Sequence, residues 1–243
     1  MGCKINQDIL KVTIVLPCFN EVTNIGEVIS RIMNIGWDKE SFEISIIDDG
    51  STDGTQELLL ALGEQNPNIN IEIQANRLGL GKSIYRGIEK ARGRYIVLMD
   101  TDGMHDPSYL NLMLSKAQEG FALVIASRYV HGAIFQGSVY PVMSKLINTV
   151  IKWIMKSKIS DQLCGFFLSD ASELKKINAQ FFDGFGEYFI AVIQHFEEKG
   201  FPIIEIPSVH NVRVSGERKS RRLKMLTTYI RYAIRYRKNL SAH

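Results

Sequence analysis

The sequence predicts an α/β fold, with a mostly parallel, Rossmann-like sheet flanked by helices. Two observations carry that expectation. Apolar runs too short for helices alternate with segments whose apolar residues recur at helical spacing, and such alternation implies right-handed βαβ units. No linker rich in Pro, Gly or Ser divides the 243 residues, a length that suits one large α/β domain or a domain with an appendage.

The first predicted strand, Val12 to Leu16, is ended by Pro17. Asn24 is placed to cap a helix with Ile25, Val28, Ile29, Ile32 and Met33 on one face. Phe42–Ile47 is a second strand, broken by Asp48-Asp49-Gly50-Ser51-Thr52-Asp53-Gly54-Thr55, which holds too many turn formers for helix or strand. A helix over Gln56–Glu64, a strand over Asn70–Gln74 and a helix over Lys82–Arg92 follow. Arg94–Met99 reads as a buried strand that runs into Asp100-Thr101-Asp102, and Asp106-Pro107 then caps and opens a helix near Ser108–Gln118.

Beyond a fifth strand at Ala122–Ala126 the alternation stops. A Gly-containing loop, Val130–Gly137, opens a helix over about Val142–Lys156, with Leu146, Ile147, Val150, Ile151, Ile154 and Met155 as its apolar face. A strand at Gly165–Ser169, a helix at Glu187–Lys199 and strands at Ile203–Pro207 and Val209–Arg213 close the globular part. The stretch Lys219–Lys238 is helical and basic, with Leu223, Leu226, Ile230, Ala233 and Ile234 on one side. The expected organisation is a domain over 1–215 and a helical appendage over 216–243.

Composition excludes several classes. Hydrophobic content of 45% and charged content of 23% are those of an ordinary globular protein. Cys3, Cys18 and Cys164 are scattered, which suits a reducing compartment and no zinc site. No apolar run approaches the ~18–20 residues that cross a bilayer, and the start lacks a signal-peptide core. The chain therefore reads as cytoplasmic. Its net charge of +3 conceals an asymmetry, because ten Lys or Arg from Arg213 onward face one acid, Glu217. A mildly acidic body with a basic tail points to an anionic partner. Nucleic acid is a poor fit, since no aromatic stacking platform lies on the strands and the acidic crevice would go unexplained.

That crevice is the chemical signal. In an open α/β sheet, ligands bind at the carboxyl ends of the strands. Three such ends carry acids, namely Glu21 within Pro17-Cys18-Phe19-Asn20-Glu21, Asp49, and the pair Asp100 and Asp102. Carboxylates two residues apart repel unless a cation lies between them, and hard oxygen ligands suit Mg²⁺ or Mn²⁺ completed by substrate phosphates. Asp49 suits hydrogen bonding to a ribose or a base N–H. Gly79-Leu80-Gly81-Lys82-Ser83 is not a phosphate loop, because Asn76 stands where a Walker pattern needs Gly, and Ile84 breaks a GxGxxG reading.

The set Val15-Leu16-Pro17-Cys18-Phe19-Asn20-Glu21, Ile47-Asp48-Asp49-Gly50-Ser51-Thr52-Asp53-Gly54-Thr55, Asn76-Arg77-x-Gly79-x-Gly81, Asp100-Thr101-Asp102 and Ser127-Arg128-Tyr129 resembles family 2 glycosyltransferases with the GT-A fold. Within them it is most similar to the dolichyl- or polyprenyl-phosphate sugar synthases, through His105-Asp106-Pro107, Asp161-x-x-x-Gly165-Phe166 and Arg213-x-x-Gly216-x-Arg218-Lys219. The resemblance implies a nucleotide-sugar donor (GDP-mannose or a UDP-hexose), a divalent metal and a lipid-phosphate acceptor. Pro17, Phe19, Glu21, Ile47 and Asp49, with Thr101 and Arg128, would line the nucleotide-sugar site. Asp100 and Asp102 would hold Mg²⁺ or Mn²⁺ and the diphosphate, Asp102, Arg128 and Arg213 would act in catalysis, and Arg213 with Lys219 would meet the acceptor phosphate. The chain departs from that pattern at Met104, where the synthases have Gln, at Phe167, where they have a basic residue, in the absence of an Arg shortly before Ser144, and at Arg218, which replaces a Ser.

A phosphate monoester acceptor is already anionic and needs only cations around it, whereas a hydroxyl acceptor needs a carboxylate base, for which Glu187 is the candidate. The basic tail helix, with Tyr229, Tyr232 and Tyr236, is suited either to lie on an anionic bilayer or to pack on the domain. Trp153 and the aliphatics near it suit capture of a lipid chain.

Overall fold

The computed structural model describes residues 11–135, 140–210 and 222–240. In chain order they form β1 (Val12–Cys18), α1 (Ile25–Met33), β2 (Phe42–Asp48), α2 (Thr55–Gln65), β3 (Ile69–Ile73), α3 (Leu80–Lys90), β4 (Tyr95–Leu98), α4 (Leu110–Gln118), β5 (Leu123–Ser127) and β6 (Ile134–Phe135). Then come α5 (Tyr140–Met155), β7 (Phe167–Asp170), the single turn α6 (Ala171–Leu174), α7 (Tyr188–Glu198), β8 (Ile203–Pro207), β9 (Val209–His210) and α8 (Arg222–Leu240).

Seven strands make one sheet in the order β3-β2-β1-β4-β7-β5-β8. β1 pairs in parallel with β2, from Val12 opposite Phe42 to Cys18 opposite Asp48, and with β4 on its other side. All seven residues of β1 and of β2 are buried, as expected of central parallel strands covered on both faces. β7 alone runs antiparallel, between β4 and β5. Its first residue, Phe167, therefore lies opposite Leu98, at the edge where β4 ends. A second, two-stranded sheet pairs β6 with β9; Val130–Gly137 was expected to be loop throughout.

Local chemistry differs from expectation at two places. Asn24 does not cap α1 with its side chain; its amide donates to Glu21 Oε2 at 2.7 Å. Asp106 does cap, accepting from Ser108 N–H at 3.0 Å, but the segment it opens is a 3₁₀ turn, Pro107–Tyr109, ahead of α4.

α8 is seated on α5 and α7. Tyr229, Tyr232 and Ala233 are buried in a cluster with Ile147, Ile151 and Met155 of α5 and Ile190 of α7. Ile234, read from sequence as part of the apolar side, is exposed, while the tyrosines take the inner side. Their rings bury apolar area, the Tyr232 hydroxyl donates to Phe181 O at 3.4 Å, and the Tyr236 ring lies 5.2 Å from that of Phe181. The side chains of Leu223 and Leu226 lie outside the described residues.

Candidate active site

The register of β1, β2 and β4 brings Cys18, Asp48 and Leu98 to one edge of the sheet. The loops after β1 and β2 are tied together there. Asn20, in the left-handed region at φ 52°, donates its N–H to Ser51 Oγ at 2.8 Å and accepts from Thr52 N–H at 2.9 Å. Glu21 donates its N–H to Thr55 Oγ1 at 2.9 Å. Asp48 accepts from the N–H of Ser51, at 3.0 Å, and from its hydroxyl.

Asp49 holds backbone. Its carboxylate accepts from Leu78 N–H at 2.7 Å and from Gly79 N–H at 3.0 Å, and Arg77 Nε lies 3.7 Å away. Gly79, at φ +96°, turns the chain into α3, so the carboxylate sits where the N-terminal partial charge of that helix favours an anion. Arg77 in turn stacks over Phe19, its guanidinium carbon 3.9 Å from the ring centroid. A half-exposed cation and an aromatic face thus meet beside Asp49. Ile47, by contrast, is buried in the sheet, against the α3 residue Gly87.

The segment after β4 is braced from three sides. Thr101 Oγ1 donates to Pro17 O at 3.2 Å, and Met104 N–H donates to Asp102 Oδ1 at 3.1 Å. His105 Nδ1 accepts the Asp100 N–H at 3.0 Å, which leaves a neutral His105 with its proton on Nε2, 3.9 Å from Asp100 Oδ2. The imidazole is buried and stacks on Phe166 at 5.0 Å between centroids. Gly165 leaves room for the acid, since a Cβ there would stand 3.2 Å from Asp100 Oδ2. The Asp100 side chain is 39% exposed, whereas Asp102 is buried. Among the described residues no group of three or more His, Cys, Asp and Glu could enclose a metal. Two carboxylates of this kind fit a hard cation whose remaining ligands come from a diphosphate and water.

Arg128 is paired. Its Nε donates to Asp161 Oδ2 at 2.8 Å and its Nη2 to Oδ1 at 2.6 Å, a bidentate fork with side-chain exposures of only 15% and 0%. Burial alone would favour the neutral guanidinium, but the Asp161 charge outweighs it and keeps the cation fixed. Glu205 of β8 accepts from the N–H groups of Ser160 and Asp161, at 2.8 and 3.0 Å, and so holds the loop that carries the acid. The adjacent Tyr129 donates its hydroxyl to Ser144 Oγ of α5 at 2.6 Å.

A further loop, unassigned by the sequence reading apart from Glu187, reaches the same place. Glu187 Oε2 accepts from the N–H groups of Phe185 and Gly186, both at 3.0 Å, and closes a turn over 183–187. Gly184 O accepts from Gly81 N–H at 3.0 Å, which joins this turn to the start of α3. Tyr188 is buried, its hydroxyl pushed up first by burial and then by the Asp100 charge. Tyr229 of α8 is pushed up by burial, then by Glu187, with Asp100 adding and Arg128 opposing. Asp100, Arg128, Glu187 and both phenols therefore share one electrostatic neighbourhood.

Of the residues expected from sequence, Pro17, Glu21, Asp49 and the 100–102 segment lie along one sheet edge, with Phe19 beneath Arg77. Arg213 and Lys219 lie outside the described residues. The residues that sequence reasoning missed are Asp161 and Glu205 as partners, His105 as a brace, and Tyr229 as a contributor from the tail. Asp161 and His105 gave a signal as members of the Asp161-x-x-x-Gly165-Phe166 and His105-Asp106-Pro107 motifs, and Tyr229 only as one ring of the basic tail helix.

An open sheet with one antiparallel strand beyond β4 and an acidic pair at its carboxyl edge suits transfer chemistry at that edge, and the family comparison gives the class. Residues 13–177 match Glycosyl transferase family 2, and the chain belongs to that family. It is 29% identical over 237 residues to dolichol-phosphate mannosyltransferase of Pyrococcus furiosus (94% of this chain, 64% of that protein). It is likewise 29% identical over 213 residues to polyprenol monophosphomannose synthase of Mycolicibacterium smegmatis (85% and 79%). The chain thus spans less than two thirds of the Pyrococcus protein. Among solved structures, glucosyl-3-phosphoglycerate synthase from Mycobacterium tuberculosis, in complex with Mn²⁺, UDP-glucose and phosphoglyceric acid, superposes with a TM-score of 0.70 at 19% identity (93% of this chain, 79% of that one). That likeness shows a shared fold.

Proposed function

We propose that this chain is an inverting, metal-dependent glycosyltransferase that moves a hexose from a nucleotide sugar, GDP-mannose or a UDP-hexose, to a polyprenyl or dolichyl phosphate at a membrane surface. The observation that carries the proposal is the Asp100–Asp102 segment, braced by Thr101, Met104 and His105 so that the Asp100 carboxylate opens at the sheet edge. Asp100 and Asp102 would hold Mg²⁺ or Mn²⁺, which when bound neutralises the charge left on a departing nucleoside diphosphate. Glu21, Asp49, Phe19 and Arg77 shape the nucleoside end. Arg128, fixed by Asp161, contributes a permanent positive charge near Asp100, and Arg213 with Lys219 supplies further cations for the acceptor.

The phosphate acceptor is favoured over a hydroxyl acceptor by the state of Glu187. Its carboxylate is buried and accepts two backbone N–H groups, which suits a turn-holder better than a base that must receive a proton. The relatives named above, a dolichol-phosphate mannosyltransferase and a polyprenol monophosphomannose synthase, support the same choice. Membrane contact would be peripheral, through the outer side of α5, where Met143, Leu146 and Trp153 are exposed beside Lys145 and Lys156; no helix among the described residues is long and apolar enough to cross a bilayer. The reaction domain would be 1–215, with 216–243 completing the membrane side.

The test is a panel of UDP- and GDP-sugars offered with Mg²⁺ or Mn²⁺ to a short polyprenyl phosphate and to hydroxyl acceptors. Transfer to the phosphate is expected, and turnover confined to hydroxyl acceptors would overturn the reading.

A further inference from the structure

Gly186 has no conformational reason to be glycine. Glycines in the left-handed region include Gly184, at φ +104°, but not Gly186. What its missing side chain makes room for is a phenol. A Cβ at Gly186 would stand 2.9 Å from Tyr229 Oη and 3.5 Å from Cζ of the same ring. Tyr229 comes from α8, and it is buried, held by Ile147 and Ile151 of α5 and Ile190 of α7. The tip of a tail residue therefore rests on the backbone of the turn that Glu187 closes.

That turn is continuous with the donor side of the site. Gly184 O accepts the Gly81 N–H, and a Cβ at Gly81 would fall 1.9 Å from Phe182 O, so the start of α3 and the segment leading into the turn touch backbone to backbone. Two residues earlier, Gly79 donates to Asp49. On the other flank, Tyr188 follows the turn directly and lies within the field of Asp100.

We infer that Tyr229 is a positioning residue for the 183–187 turn, so that the active site is complete only when the C-terminal helix is seated on α5 and α7. The inference rests on the glycosyltransferase reading above and goes beyond it. The tail is then a working part of the site, and its seating becomes a condition for turnover in addition to any contact with a surface.

The experiment is a mutant cycle on the full chain, read as kcat, donor KM and melting temperature. Gly186→Ala brings a methyl against the Tyr229 hydroxyl and is expected to lower kcat about tenfold, with donor KM held within about threefold. Gly186→Ala combined with Tyr229→Phe removes the oxygen that the methyl meets, and should recover about fivefold of that loss in kcat while the melting temperatures of the single and double variants stay within a few degrees of each other, a split that a merely structural effect would not produce. Should Gly186→Ala not fold, Tyr229→Leu keeps the apolar packing and removes the phenol tip, and the same fall in kcat is expected. Full kcat in Gly186→Ala or Tyr229→Leu, or an equal deficit in the single and double variants, overturns the inference while leaving the transferase reading intact. A wild-type chain inactive with every donor and acceptor removes the reading, and the inference with it.

Discussion

At residue scale the site is built mainly of side chains that position other groups. Asp49 holds the entry to α3, Asp161 holds Arg128, His105 holds Asp100, and Glu187 holds its own turn. The distinction matters most for Glu187, because a general base and a turn-holder respond differently to amidation. A glutamine keeps an oxygen that accepts the N–H groups of Phe185 and Gly186 but takes no proton. Glu187→Gln should therefore lower transfer to a polyprenyl phosphate by less than about tenfold, whereas loss of a general base costs about 10²–10⁴. Steady-state kcat with the phosphate acceptor decides it, and a fall of a thousandfold would restore the base.

At the scale of elements, the rim away from the site shows what fixes the sheet. Glu43 of β2 is buried, accepts from Thr13 Oγ1 at 2.7 Å and from Asn70 Nδ2 at 3.0 Å, and pairs with Arg92 beyond α3. Burial raises its pKa, but the hydrogen bonds from Arg92 and Thr13 outweigh that and leave it below the ordinary 4.5. A carboxyl whose folded pKa is depressed contributes stability above its unfolded value and loses it as pH falls through the folded one. Glu43→Gln should cost about 2 kcal/mol near pH 7, and the gap from wild type should close as pH drops below 4.5. Urea midpoints across that range check it; a gap independent of pH would contradict the assignment.

The elements also mark what a sequence can show. Strands β1, β2 and β4 and the acids behind them were legible, because buried runs and turn-forming residues are local signals. Asn24 misled because Glu21, three residues back, claimed its amide. The antiparallel sense of β7, the β6–β9 pair and the fork between Arg128 and Asp161, 33 residues apart, depend on contacts that no local pattern encodes. The inner side of α8 was misread for a further reason, since ranking by aliphatic character overlooks tyrosines that bury their rings, as Tyr229 and Tyr232 do.

At the scale of the whole molecule, α8 packs on α5 through Ile147, Ile151 and Met155, which leaves the outer side of α5 open. Trp153 is 80% exposed, with Leu146 and Met143 on the same helix and Lys145 and Lys156 beside them. Aromatic and aliphatic tips among lysines suit the interface of an anionic bilayer. Deleting the tail would not isolate this contact, since Tyr229 and Ala233 are core residues. Leu146→Ser with Trp153→Ser touches only the exposed side. Flotation with anionic vesicles should recover that variant several-fold less than wild type, at an unchanged melting temperature. Equal recovery would move the membrane face elsewhere.

The central claim, that the acidic pair holds a metal against a nucleotide-sugar diphosphate, is met most directly by Asp102→Ala assayed for transfer with Mg²⁺ or Mn²⁺. The expected result is a loss of about a thousandfold or more in kcat, together with loss of metal-dependent nucleoside diphosphate binding, in a protein that melts within a few degrees of wild type. Undiminished turnover in that folded variant would contradict it.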